Sequence, residues 1–150
     1  MNPFQDRAPV LIVDEHWEDT FLLQRLIRST KTGHPVQTAS GAQQAIEWLR
    51  LCLSLGNPKP FLIFMDTGSP LNNGFDVLQW VRENADLKDV AVVMLSSSED
   101  PANLQRAHDL GAQGYLLKYP SSQTLAEVIE RAVHPSRLAL SFPEFQALIS

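Results

Sequence analysis

The chain has 150 residues, 44% of them hydrophobic and 19% charged, with a formal net charge of −5. That composition excludes a disordered tail, a coiled-coil rod and a collagen-like chain, and the length suits one domain with a core of its own. The acidic balance argues against direct nucleic-acid binding, which draws on Lys and Arg to neutralise phosphate.

The first apolar run, PVLIV over Pro9–Val13, ends in Asp14 and predicts a strand. Leu22, Leu26 and Ile27 follow as one stripe of a helix. Pro35–Ala39 is a weaker strand candidate. Ser40 and Gln43 have the spacing of a capping box, and Ala42, Ala45, Ile46, Leu49 and Leu53 continue at helical period. FLIFM over Phe61–Met65 ends in Asp66, and Phe75, Leu78 and Val81 mark the next helix. VAVVML over Val90–Leu95 ends in Ser96. Asp100 before Pro101 is an N-cap with proline at the first helical position, Leu104 and Ala107 form a thin stripe, and Gly111 closes that helix. YLL over Tyr115–Leu117 ends in Lys118, and Leu125, Val128, Ile129 and Ala132 give the last amphipathic helix.

Short, wholly apolar runs are the habit of strands buried on both faces. Strand and helix alternate five times, which predicts an α/β doubly wound sheet of five parallel strands. Ligands of such sheets bind beyond the carboxyl ends of the strands. The residues at those ends are Asp14, Glu15, Asp66, Ser96 and Lys118. Carboxylates gathered at one spot repel each other, and a hard cation such as Mg²⁺ relieves the conflict while keeping several waters. A carboxylate can also accept a phosphoryl group as an acyl phosphate. Lys118 offers a charge for phosphate and Ser96 a hydroxyl donor. Singly, each residue reads as a turn, a cap or a solvated charge; jointly, in this order, they describe a phosphoryl-acceptor site.

The stretches VLIVDE (Val10–Glu15), MDTGSPLNNGFDVL (Met65–Leu78), VVMLSS (Val92–Ser97) and GAQGYLLK (Gly111–Lys118) resemble a response-regulator receiver domain of the chemotaxis-receiver superfamily. VDEHWED and the loop GNPKP (Gly56–Pro60) resemble small stand-alone regulators that partner phytochrome-type sensor histidine kinases. The resemblance implies a flavodoxin-like (βα)5 fold with strand order 2-1-3-4-5. It implies Asp66 as phosphoacceptor, with Mg²⁺ held by Asp14, Glu15, Asp66 and the backbone carbonyl of Gly68. Ser96 would donate to the phosphoryl group and Lys118 would pair with it. Tyr115 would swing inward as Ser96 is drawn to the phosphate, and the fourth helix, fifth strand and fifth helix would form the output face. Pro70 and Gly74 match the family's loop residues. Several features depart from the family pattern, among them the small residues Gly68, two after the acceptor, and Ser98, two after Ser96. The acidic pair is Asp-Glu, and Tyr119 stands between Lys118 and Pro120, so the family's cis bond falls either at Lys118–Tyr119 or at Tyr119–Pro120.

The function this predicts is a single-domain, cytoplasmic response regulator, phosphorylated by a histidine kinase and acting on an unknown output protein, with no direct nucleic-acid or membrane partner. It is a phosphoacceptor rather than an enzyme. One rival is a pseudo-receiver that docks without phosphorylation; another is a flavodoxin-like flavin or small-molecule binder, which the acidic DEHWED loop disfavours. Asp66-Thr67-Gly68 lacks the second Asp of DxD phosphatases, and no GxGxxG follows the first strand. Cys52 stands alone, which excludes an internal disulfide and a Cys-based zinc site. His16, His34, His108 and His134 show no metal-ligand spacing and read as surface residues; Trp17, Trp48 and Trp80 read as packing residues. The apolar runs are far shorter than a membrane span, and the first residues lack the pattern of a secretory signal. The receiver is expected over residues 1–134. Residues 135–150 form an extension whose Phe145, Leu148 and Ile149 would share one side of a short helix, either folded back on the domain or serving as a homodimer arm.

Overall fold

The computed structural model describes residues 8–69, 72–98 and 100–133. Pro70 and the extension 135–150, with its proposed helix, lie outside the described residues. Five strands form the central sheet: β1 (Val10–Val13), β2 (Val36–Ala39), β3 (Leu62–Asp66), β4 (Ala91–Ser96) and β5 (Gly114–Leu117). Their order is β2-β1-β3-β4-β5 and every pairing is parallel. Among the described residues the helices are α1 (Trp17–Ser29), α2 (Ala42–Leu55), α3 (Gly74–Glu83), α4 (Pro101–Asp109) and α5 (Ser122–Ala132). Each strand starts and ends within one residue of its apolar run, because in a doubly covered sheet the apolar run is the strand.

Alternation along the strands divides the interior in two. Leu11, Val13, Ile63, Met65, Val92 and Met94 face α2, α3 and α4, where Ala45, Leu49, Leu78, Val81, Leu104 and Ala107 cover them. Val10, Ile12, Leu62, Phe64, Val93 and Leu95 face α1 and α5, where Leu23, Ile27, Leu125, Val128 and Ile129 cover them. A period of two on the strands and 3.6 on the helices produces both layers.

The stripes expected on α3, α4 and α5 are buried as read, whereas α1 differs. Its inward residues are Leu23 and Ile27, and Leu22 is exposed. Three adjacent leucine-type positions fit two overlapping stripes, and packing against α5 selects one. The expected Ser40–Gln43 box does not form: Gly41 is the N-cap of α2, and the Ser40 N–H donates to Gln44 Oε1. Asp100 caps α4 as expected, accepting from the Ala102 N–H at 3.0 Å. A two-residue antiparallel ribbon, Gly68–Ser69 with Asn72–Asn73, follows β3 and was not legible in so short a polar stretch.

At the end of the sheet away from the strand carboxyl ends, Arg82 of α3 ties three segments together. Its Nε donates to the Gly111 carbonyl at 2.9 Å, and its terminal nitrogens donate to the carbonyls of Lys88 and Val90 and to Gln113 Oε1. Gln113 Oε1 also accepts from the Val92 N–H at 2.7 Å.

Candidate functional site

Parallel strands deliver their next residues to one edge, and here β1, β3 and β5 bring Asp14, Asp66 and Lys118 together. Lys118 Nζ lies 2.7 Å from Asp14 Oδ2 and 3.1 Å from Asp66 Oδ1. The three side chains keep only 10%, 4% and 12% of their exposure for Lys118, Asp14 and Asp66, so these charges interact with little screening by water. A fourth partner, Asp19 in the first turn of α1, holds Lys118 at 2.8 Å through Oδ2. Its Oδ1 accepts from the Tyr119 hydroxyl. Sequence reading missed Asp19, because an ion pair between residues 99 positions apart leaves no local pattern. The peptide bond between Lys118 and Tyr119 is cis, which decides between the two positions left open.

The cluster sets its own charge states. Burial raises the Asp66 pKa above the usual carboxylate value and the Asp14 charge adds to this, with Lys118 opposing. Burial works against the Lys118 ammonium, but hydrogen bonds to Asp14 and Asp19 and the Asp66 charge outweigh it and raise its pKa. Asp19 is also penalised by burial, yet the Lys118 and Tyr119 hydrogen bonds bring its pKa below normal.

Ser96, at the end of β4, is buried. Its Oγ accepts from the Ser98 N–H at 3.1 Å and has a looser contact with the Thr67 hydroxyl at 3.4 Å. Tyr115 on β5 is fully buried, and its hydroxyl donates to the Ser98 carbonyl at 2.8 Å. The ring is already inward, because the Ser98 carbonyl gives its hydroxyl an acceptor there. Gly74 opens α3 under Asp66: a Cβ at this position would sit 2.0 Å from the Asp66 carbonyl oxygen, so only glycine fits this approach.

Glu15, His16, Glu18, Asp19, Asp66, Thr67, Gly68, Ser97, Lys118 and Tyr119 line a cleft of about 500 Å³. Gly68 adopts a positive φ of 79° at its rim. The carboxylates of this cleft outnumber its one ammonium, a donor set suited to a divalent cation. The expected trio Asp14, Glu15 and Asp66 lines one small pocket at the strand ends, while its ligand atoms fall into two tighter groups. Ligand-bearing side chains lie within 4.8 Å of one another in two groups among the described residues, Asp14–His16–Asp19 and Glu15–His16–Asp66. His16 is exposed, as read, yet it belongs to both groups. Its Nδ1 stands 3.2 Å from Asp14 Oδ1, and its backbone N–H donates to that same oxygen at 2.9 Å. His34 is half-buried and packs against Phe61 with ring centroids 4.5 Å apart and planes tilted by 48°, unlike a plain surface residue. Trp48 and Trp80 pack against the core as expected, but Trp17 is 72% exposed on α1 beside the cleft.

Residues 10–130 match the response regulator receiver domain family. Two-component response regulator ORR3 of Oryza sativa subsp. indica is 32% identical over 124 residues, covering 83% of this chain and 89% of that protein. Among solved structures, the Vibrio cholerae chemotaxis protein CheY4 superposes with a TM-score of 0.70 at 25% identity, over 84% of this chain and 98% of that one. A bacteriophytochrome response regulator, RtBRR, superposes with a TM-score of 0.71 at 25% identity, over 90% of this chain and 80% of that one. The match runs from the first residue of β1 into α5 and takes in all five strands whose ends carry the acidic cluster, Ser96 and Lys118. The chain belongs to the response regulator receiver domain family.

Proposed function

We propose that the chain is a response-regulator receiver that accepts a phosphoryl group from a sensor histidine kinase on Asp66 and signals through protein–protein contacts. The observation that carries this reading is the grip of Lys118 on Asp66 and Asp14 at the strand ends, within an otherwise acidic cleft. An Asp66 oxygen attacks the phosphorus of the kinase phosphohistidine. The new O–P bond forms as the P–N bond breaks, and the departing imidazole nitrogen keeps the electron pair. Lys118 pairs with the arriving phosphoryl oxygens, and the Ser96 hydroxyl donates to them. Asp14, Glu15, Asp66 and the Gly68 carbonyl would hold Mg²⁺, which when bound neutralises phosphoryl charge.

Because Tyr115 is already inward, the signal starts at Ser96. Drawing its hydroxyl toward phosphate removes the acceptor of the Ser98 N–H, and the Ser98 carbonyl is where Tyr115 is anchored. Output then follows at the face of α4, β5 and α5. We take the receiver as residues 1–134 and the apolar extension 135–150 as a homodimer contact. A kinase of the phytochrome type is the partner proposed, by analogy with RtBRR. The cytoplasm is the setting in which a lone thiol such as Cys52 is ordinary.

Intact mass after incubation with acetyl phosphate or phosphoramidate and Mg²⁺ tests this. One phosphoryl adduct, labile to hydroxylamine and lost in Asp66→Ala, is expected. An adduct that persists in Asp66→Ala overturns the choice of acceptor, and no adduct with any donor favours a docking module that works without phosphorylation.

A further inference from the structure

His16 has no part in the reaction just described, yet it belongs to both groups of metal-capable side chains at the site. It stands at the N-cap of α1, and its side chain makes no capping bond there. The imidazole is 59% exposed, which leaves it room to turn, and it lies on the cleft wall beside Glu15, Asp19 and Asp66. The two groups differ in what already holds them. In Asp14–His16–Asp19, both carboxylates are bonded to Lys118 at 2.7 and 2.8 Å, so an ammonium occupies the place of a cation. In Glu15–His16–Asp66, Lys118 reaches Asp66 through Oδ1 at 3.1 Å, the longest of these three contacts. Ligand atoms within 4.8 Å of one another are close to what one ion spans, since metal–ligand bonds of about 2.1 Å set opposite ligands roughly 4.2 Å apart.

We infer that His16 is a nitrogen ligand of this receiver's divalent cation, together with Glu15 and Asp66, and that the site therefore favours cobalt, nickel or zinc over magnesium. The inference rests on the proposed metal-assisted acceptor site. Its chemical basis is ligand type. Magnesium takes oxygen donors and keeps its waters, whereas imidazole suits the later first-row metals, whose affinities also rise along the series. A receiver whose cation is held by oxygen alone would show that preference less strongly.

Manganese is the probe. The full chain, without an affinity tag, is loaded with Mn²⁺ and its electron spin-echo envelope modulation recorded. Nitrogen couplings are expected. They should change character when the protein is labelled with 15N-histidine, and vanish in His16→Gln but not in His108→Gln. In competition titrations His16→Gln should weaken Ni²⁺ or Zn²⁺ on the order of tenfold while leaving Mg²⁺ within about twofold. Asn at the same position should behave like Gln, which separates ligation from any local effect of one substitution. Bound Mn²⁺ with no histidine coupling, or coupling that survives His16→Gln, overturns the role of His16 and leaves the oxygen site standing. No Mn²⁺ binding at all overturns the metal-assisted reading as well.

Discussion

At the scale of single residues, Lys118 is the cation on which the folded site depends. Replacing it by Met leaves Asp14 and Asp66 buried side by side without a counter-charge, and breaking such a pair typically costs about 3–5 kcal/mol. Urea denaturation of Lys118→Met at pH 7 should show a loss of that order. The loss should shrink as pH falls, because the Asp66 pKa is already raised and its protonation relieves the repulsion. In the wild type the sign is opposite at the alkaline end. The Lys118 pKa is raised on folding, so its contribution is complete below the unfolded value of about 10.4 and fades as pH climbs beyond it. A Lys118→Met curve parallel to the wild type across pH 4–8 would rule this coupling out. Tyr115→Phe isolates a different contact. It removes the 2.8 Å bond to the Ser98 carbonyl and should cost about 0.5–1.5 kcal/mol by the same assay. If the Ser96–Ser98 link transmits the phosphorylation signal, the beryllofluoride-induced NMR shifts on α4 should also weaken in this variant.

At the scale of elements, the β3–α3 junction has the least tolerance. Gly74→Ala would place a methyl group 2.0 Å from the Asp66 carbonyl oxygen, so the junction must open. A loss of about 1–3 kcal/mol is expected, with the acceptor displaced and the phosphorylation rate reduced. Stability and rate both unchanged would show that α3 can slide to make room. Element order and the strand ends were readable because the sheet is buried on both faces, so apolar runs coincide with strands and their next residues with the site edge. What the sequence hid has local causes. On α1, three apolar positions in a row admitted two helical faces, and only the partner helix α5 chooses between Leu22 and Leu23. Asp19 and His16 reach the cleft because the first turn of α1 curls over the end of β1. The partner of Asp19, Lys118, is remote in sequence and no spacing rule links them, whereas His16 bonds Asp14 only two residues before it. Trp17 looked like core by residue type, but the same turn that brings Asp19 inward leaves it outside.

At the scale of the whole molecule, the sheet separates two cores, and the proposed homodimer adds a third apolar contact outside both. Light scattering at high micromolar concentration should give a dimer for the full chain and a monomer for a chain ending at Pro135. A full-length monomer, phosphorylated or not, would mean that the extension folds back on its own domain. The two edges of the sheet are fastened in unlike ways. At the carboxyl edge the cross-links are ionic and converge on one ammonium, which an incoming phosphoryl group can recruit. At the opposite edge, Arg82 joins α3 to the segments before β4 and β5 through backbone carbonyls, which no phosphate competes for. A lever needs a fulcrum, and Arg82 supplies one: when charge rearranges around Asp66, the strain cannot dissipate by letting the strands drift apart at their far ends. In the proposed phosphorylation, a small displacement at Asp66 would then be carried by way of Ser96 and Ser98 toward the start of α4, and so to one surface.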